Sequence, residues 1–233
     1  MRYIPVLGLF VLALQSCSNQ SLDSSSYFPL QEGLQWDYLV TTSVGDSIRH
    51  SDFSIRMGEQ EPINSRPHAV RITSDGTRYY IAENSGGIYR TAKRTLIESK
   101  PAIDNSPHWV LKYPLRNGTQ WSNPTYPFVL RRVYPYEERL TRGMNLKMTF
   151  QIMGDDETVV VPAGRFDNCI RVQGEANLTL YADARSGYEE ILINTTEWYA
   201  PGVGLVKLLR EEPLSNDVFA GGEVVYELRS LRR

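Results

Sequence analysis

Between Phe166 and Tyr181 the chain alternates. Even positions carry Phe166, Asn168, Ile170, Val172, Gly174, Ala176, Leu178 and Leu180, and odd positions carry Asp167, Cys169, Arg171, Gln173, Glu175, Asn177, Thr179 and Tyr181. A period of two puts one set on each face of a β-strand. The run exceeds the usual strand length of about 3–10 residues. It therefore predicts either two strands or one long strand bent at Gly174, where a missing side chain permits a bulge. The bend is favoured, and it implies a strongly curved sheet. Cys169 falls on the polar face of this pattern. If the concave side of such a sheet held a cavity, Ile170, Val172, Leu178 and Leu180 would line it.

Shorter strand signals fill the remainder from Tyr27 onward. Leu34–Thr42 and Ile48–Met57 flank a Gly45-Asp46 turn. Ala69–Thr73, Arg78–Ala82 and Ile88–Thr91 form a meander, first through Asp75-Gly76 and then through Asn84–Gly87. Asn145–Ile152 and Thr158–Val161 predict a hairpin around Gly154-Asp155-Asp156. Tyr188–Tyr199 returns across Ala184–Gly187, and Leu205–Arg210 reaches Glu223–Leu231 over a long loop ending in Gly221-Gly222. Glu59–Pro67, with two prolines, reads as a loop. Asn123–Tyr136, rich in proline and aromatics, reads as an edge strand with a covering loop, or as the lining of a groove. No long apolar run of period 3.6 occurs outside the N-terminal segment. The expected fold is all-β and mostly antiparallel: a curved sheet, half-barrel or sandwich, in a single domain over 27–233.

One pattern occurs twice. FPLQEGLQW (Phe28–Trp36) and YPLRNGTQW (Tyr113–Trp121) share Pro, Leu, Gly, Gln and Trp at equivalent positions. The likeness stops after the tryptophan, so a duplicated domain is not implied. The residues suggest a device that starts a strand. Pro29 or Pro114 holds the chain extended, and Gly33 or Gly118 turns it. Leu30 with Trp36, or Leu115 with Trp121, then enters the core. Two further turns carry shape: Val161-Pro162-Ala163-Gly164 suits type I and Ala200-Pro201-Gly202-Val203 suits type II.

The ordered trio PLQEGLQW, VPAGRFDNCIRV and WYAPGVGLVK resembles a family of bacterial envelope lipoproteins with PLxxGxxW, VPAGxFxxCxxV and YxxGVGLVK motifs. The matching positions are Pro29, Leu30, Gly33, Trp36, Pro162, Gly164, Phe166, Cys169, Gly202 and Gly204. The resemblance implies a curved all-β domain that is secreted or lipid-anchored. It is also distantly similar to the half-barrel lipoprotein carriers of the outer-membrane sorting pathway. It implies no catalytic residue.

The N-terminus changes the picture most. Met1-Arg2 precedes an uncharged apolar run, Ile4–Leu14, and then Leu14-Gln15-Ser16-Cys17. The run is too short to span a bilayer as a helix, which needs about 20 residues, and it has the form of a secretory signal over 1–16. Its end resembles a bacterial lipobox, with Cys17 acylated by palmitate-type chains as the first mature residue. Residues 17–26 are then the lipidated cysteine and a polar tether. The nine residues Ser18–Ser26 reach roughly 15–18 Å as a random coil. By the same resemblance, Ser18, where aspartate would signal inner-membrane retention, implies that a Gram-negative host would send the protein to the outer membrane, facing the periplasm.

Composition mainly excludes. The chain has 233 residues with a net charge of −2 and a pI near 6.0, which gives no electrostatic case for nucleic acid. His50, His68 and His108 lack metal-ligand spacing and read as surface or loop residues. The carboxylate pairs Glu137-Glu138, Asp155-Asp156, Glu189-Glu190 and Glu211-Glu212 form no recognisable acid–base motif. No catalytic residue, metal site or cofactor is expected. The expected partners are the bilayer, through Cys17, and an envelope protein or lipid ligand. The function this supports is a non-catalytic binding or assembly module. A carrier of acyl chains is the alternative, and a hydrolase of envelope polymers a remoter one.

Overall fold

A computed structural model describes residues 25–140, 144 and 146–233. The signal segment, Cys17 and most of the tether lie outside the described residues. Among those described there is no helix, and fourteen strands follow one another. They are β1 (Gln35–Val44), β2 (Ser47–Ile63), β3 (Arg66–Thr73), β4 (Arg78–Asn84), β5 (Gly87–Arg94), β6 (Ala102–Lys112) and β7 (Gln120–Thr125). Two short pieces come next, β8 (Arg131–Arg132) and β9 (Glu138–Arg139). Then come β10 (Leu146–Val161), β11 (Gly164–Asp183), β12 (Gly187–Ala200), β13 (Gly204–Ser215) and β14 (Phe219–Arg232).

All pairings are antiparallel, in the order β6-β5-β4-β3-β2-β1-β14-β13-β12-β11-β10-β7. The terminal strand β14 pairs with β1 from Gln35↔Arg232 to Val44↔Gly222, which joins the two halves of the sheet. The sheet curls until its edges, β6 and β7, meet at a seam. No backbone ladder crosses that seam. Instead the Asn123 side chain accepts from the Trp109 N–H at 2.9 Å and donates to the Trp109 carbonyl at 2.7 Å. A carboxamide thus stands in for one residue of a strand, with 5% of its surface exposed. The curved sheet expected from the alternating pattern is therefore a nearly closed barrel.

β11 is a single strand, and its even positions from Ile170 to Ala182 are buried. The bulge is not at Gly174, where the register runs unbroken (Phe150↔Gly174, Gly174↔Thr195). A Cβ there would lie 2.7 Å from the Phe150 ring and 3.0 Å from the Met148 sulfur, so the glycine makes room for a neighbouring side chain. The irregularity falls earlier, near Asn168 at φ 56°, opposite register shifts in β10. This corrects the placement of Cys169. The kink turns it off the polar face and buries it completely. Burial pushes its thiol up to about 11, which leaves it inert at neutral pH.

Four other expectations change. β10 runs straight through Gly154–Asp156, because β11 pairs along its whole length and the surplus residues bulge out. Glu59–Pro67 is the tip of the β2–β3 hairpin, with a two-residue turn whose Asn64 and Ser65 both have positive φ. Its prolines oppose each other (Pro62↔Pro67) beyond the last pairings to β1 and β4, so their missing N–H groups break no ladder. The turn after Thr73 spans four residues and not two, since Thr73 N–H bonds the Thr77 carbonyl at 3.0 Å. Finally, β13 and β14 extend until residues 216–218 suffice to join them, and Gly221-Gly222 lies within β14.

The two nonapeptides share their glycine turn and tryptophan placement but differ at the start, where Tyr113-Pro114 is cis and Phe28-Pro29 is not. Gly33 and Gly118 have φ of 84° and 90°, and each donates its N–H to a neighbouring strand, at Met57 and Ile152. Trp36 and Trp121 both enter the same hydrophobic cluster. The three sequence motifs converge there. Trp36 Nε1 donates to the Val203 carbonyl at 2.7 Å. A Cβ on Gly204 would lie 3.3 Å from Pro29 Cδ, and Gly202 N–H bonds the Ser26 carbonyl at 2.8 Å. The Ala200–Val203 turn carries Gly202 at φ 71° and closes with Val203 N–H on the Ala200 carbonyl, as type II requires. Pro162-Ala163 links β10 to β11, and Phe166 packs against the same cluster. Among the described residues, twelve of the fourteen strands form one continuous path of pairings, with β8 and β9 attached at β14, and the sheet encloses its own hydrophobic clusters.

Candidate functional site

The inward faces of the strands carry more charge than a packed core tolerates without pairing. β13 sends Arg210 and Glu212 inward, with 1% and 0% exposed. They meet at 3.0 Å, and Arg210 also donates to Thr195 Oγ1 at 2.7 Å and to the Tyr126 carbonyl at 3.0 Å. Burial pulls the Arg210 guanidinium down and the Glu212 carboxylate opposes that. Glu212 also accepts the backbone N–H groups of Phe128, Val129 and Leu130 at 2.7–2.9 Å. This clamp holds the proline-aromatic segment across one end of the barrel. The groove reading of that segment has a structural basis: Tyr126, Phe128 and Leu130 line an open groove with Val40, Arg49 and Tyr226.

A smaller, half-open space lies elsewhere on the barrel. It has a volume of about 210 Å³. Phe28, Ile55, Ile81, Val110 and Leu205 supply apolar walls, and Arg71, Thr73, Tyr79, Arg90, His108 and Tyr199 supply the polar groups. Phe28 places it at the end of the barrel where residue 25 begins. Most polar groups here are satisfied. Arg90 forms a two-pronged pair with Asp104 at 2.7 and 2.9 Å. Tyr199 donates to Glu197 at 2.6 Å, where burial raises the carboxyl above its usual range.

Two groups lack a protein hydrogen-bond partner among the described residues: Arg71, which is partly exposed, and the buried Nδ1 of His108. The Arg71 guanidinium lies 4.4 Å from the Phe28 ring centroid and 5.3 Å from that of Trp36. Among the described residues no carboxylate or carbonyl accepts its N–H groups, and the electrostatic neighbours it has are the hydroxyls of Tyr38, Tyr199 and Tyr79. His108 Nδ1 is buried without a hydrogen-bond partner. Desolvation, and then the Arg90 charge, bring the His108 imidazole down to about 4, against a partial opposing pull from Asp104. The ring is neutral at neutral pH.

That value has a testable sign. Above pH 6.5 neither the folded nor the unfolded imidazole is charged. As pH falls below 6.5 the unfolded chain gains a proton that the folded ring refuses until about pH 4. Stability therefore drops across that window, by about 2–3 kcal/mol from this residue. In urea titrations His108→Gln should lose that much less than the wild type between pH 7 and pH 4. Parallel losses would rule out a neutral, desolvated ring.

The residues expected to line a cavity do not line this one. Ile170 and Val172 pack into the larger hydrophobic cluster, and Leu178 and Leu180 into a second one under Phe219. The even face of β11 meets the side chains of neighbouring strands instead of open space. Of the second nonapeptide, Leu115 and Trp121 pack into the larger cluster, whereas Pro114 and Gly118 are exposed. Of the histidines, His50 is exposed and bonds Thr41, whereas His68 and His108 are not the surface residues expected. Arg71, Arg90 and His108 carry no motif. One signal was available: adjacent Glu211 and Glu212 on a strand must face opposite sides, so one of them had to point inward.

No protein-family profile and no curated protein matches the chain. Two solved structures are similar to it. One is a candidate exported protein with a YmcC-like fold from Bacteroides fragilis, at 17% identity and a TM-score of 0.41, covering 90% of this chain and 100% of that one. The other is a candidate lipoprotein from Parabacteroides distasonis, at 18% identity and a TM-score of 0.38, covering 89% of this chain and 99% of that one.

Proposed function

We propose that the protein is an envelope lipoprotein, held to a membrane through acylated Cys17, that acts as a non-catalytic binding module with its ligand site inside the barrel. The observation that carries this reading is the small apolar-walled space whose Arg71 and His108 lack partners. Binding sites are typically apolar clefts with a few placed polar groups. His108 Nδ1 is buried without a partner, which is costly unless something completes it, and the partly exposed Arg71 faces the space with no protein acceptor among the described residues. The anchor supports the same reading. Two or more acyl chains on Cys17 would hold the domain durably, and the short tether would keep this end of the barrel near the bilayer. Carriage of long acyl chains along the Ile170–Leu180 face is disfavoured, because those side chains are packed.

Native mass spectrometry of residues 25–233, after incubation with envelope extract and buffer exchange, tests it. A discrete non-covalent small-molecule adduct is expected, and Leu205→Trp, which fills the space, should remove it. A bare spectrum, or an adduct indifferent to Leu205→Trp, would reject the proposal.

A further inference from the structure

We infer that the interior site recognises a small apolar monoanion, a carboxylate on a ring or a short chain, with Arg71 as the residue that reads its charge. The inference rests on the binding reading above and names the ligand's chemical class.

Charge comes first. Arg90 is neutralised by Asp104 in a bidentate pair. Glu197 is occupied by the Tyr199 hydroxyl, and no ion pair joins it to Arg71. Arg210 is matched by Glu212. Among the described residues, Arg71 is the arginine lining the space that no carboxylate contacts directly. A carboxylate supplies one compensating charge and two acceptor oxygens that fit the planar guanidinium fork. The Phe28 and Trp36 rings hold that fork in place before any ligand arrives.

Size and polarity come next. A cavity of about 150 Å³ takes up benzene, so about 210 Å³ accommodates a ring or a short chain together with its carboxylate. The walls formed by Phe28, Ile55, Ile81 and Leu205 suit an apolar body. A sugar or a nucleotide would leave most of its hydroxyls unpaired there. An organic cation would face Arg71.

Isothermal titration of residues 25–233 with benzoate and hexanoate, against the neutral analogues benzamide and hexanol, decides the matter. The acids should bind at least about tenfold tighter than the neutral compounds, as one charge-assisted bidentate contact allows. Arg71→Met should abolish that preference. Equal binding of acids and neutral compounds, no binding of the acids, or a preference that survives Arg71→Met would each overturn the assignment. Should Arg71→Met fail to fold, the wild-type comparison still decides. Acids that do not bind, alongside an extract-derived adduct that Leu205→Trp removes, would sink the ligand class and leave the binding module standing. Failure of both would sink both.

Discussion

Replacing Gly222 with alanine should unfold the barrel's central junction, at a cost of about 4 kcal/mol or more, beyond ordinary overpacking. A Cβ at that position would sit 1.9 Å from the Ser43 carbonyl oxygen and 3.0 Å from Val44 Cα. Those are backbone atoms of β1, paired with β14 at Ser43↔Glu223 and Val44↔Gly222, so they cannot swing aside as a side chain would. Gly221 is closed off in the same way by β13, with the Glu212 carbonyl at 2.0 Å. The two glycines let β14 pass between the backbones of both neighbours. Gly118→Ala is the control. It has open space around it and only a φ of 90° to strain, so its cost should be about 1–2 kcal/mol. Urea unfolding of the two variants separates the cases. Similar midpoints for both would mean that close approach does not explain Gly222.

Glu212→Leu should be nearly as damaging, by about 3–5 kcal/mol, because it strands Arg210 in the interior. It also removes the acceptor of three consecutive backbone N–H groups. Adding Arg210→Met should recover much of the loss, since apolar replacement of a whole buried pair costs little. It should not recover all of it, because the N–H groups of 128–130 stay unpaired and each costs about 1–3 kcal/mol if kept from water. The double-mutant cycle thus divides the carboxylate's role between its pair and its clamp. Hydrogen exchange at Phe128–Leu130 gives the second readout, with protection falling in both variants. A Glu212→Leu protein that keeps its stability and its protection at these amides would refute the clamp.

Much of the strand plan was legible. Period-two alternation marked β11, and Gly45-Asp46 and Ala184–Gly187 marked real turns. The misreadings share one cause. Gly154, Gly221-Gly222, Pro62 and Pro67 carry local turn chemistry, yet each lies within a strand. At those places the surrounding sheet needed a bulge, a close backbone approach or an unpaired edge, and the same residue types meet those needs. The paired nonapeptides were legible as packing devices because their glycine and tryptophan act locally. Their convergence with the Ala200–Gly204 turn on one cluster was not, because the contacts span more than 160 residues, as from Trp36 to Val203.

The chain alone determined an all-β body, its main turns, and an N-terminal segment with the form of a lipidated signal. These depend on side-chain period, on φ preference and on composition, which neighbours in sequence carry. Tertiary structure decided which face of each strand became the interior. It turned Cys169 inward, placed Ile170 and Leu178 in two hydrophobic clusters, and set Arg71 and His108 around a separate space. An arginine at the inward position of a strand looks, residue by residue, like one on a solvated face. The distinction comes into being when β14 joins β1 and Asn123 bridges to Trp109, because closure is what removes one face from water.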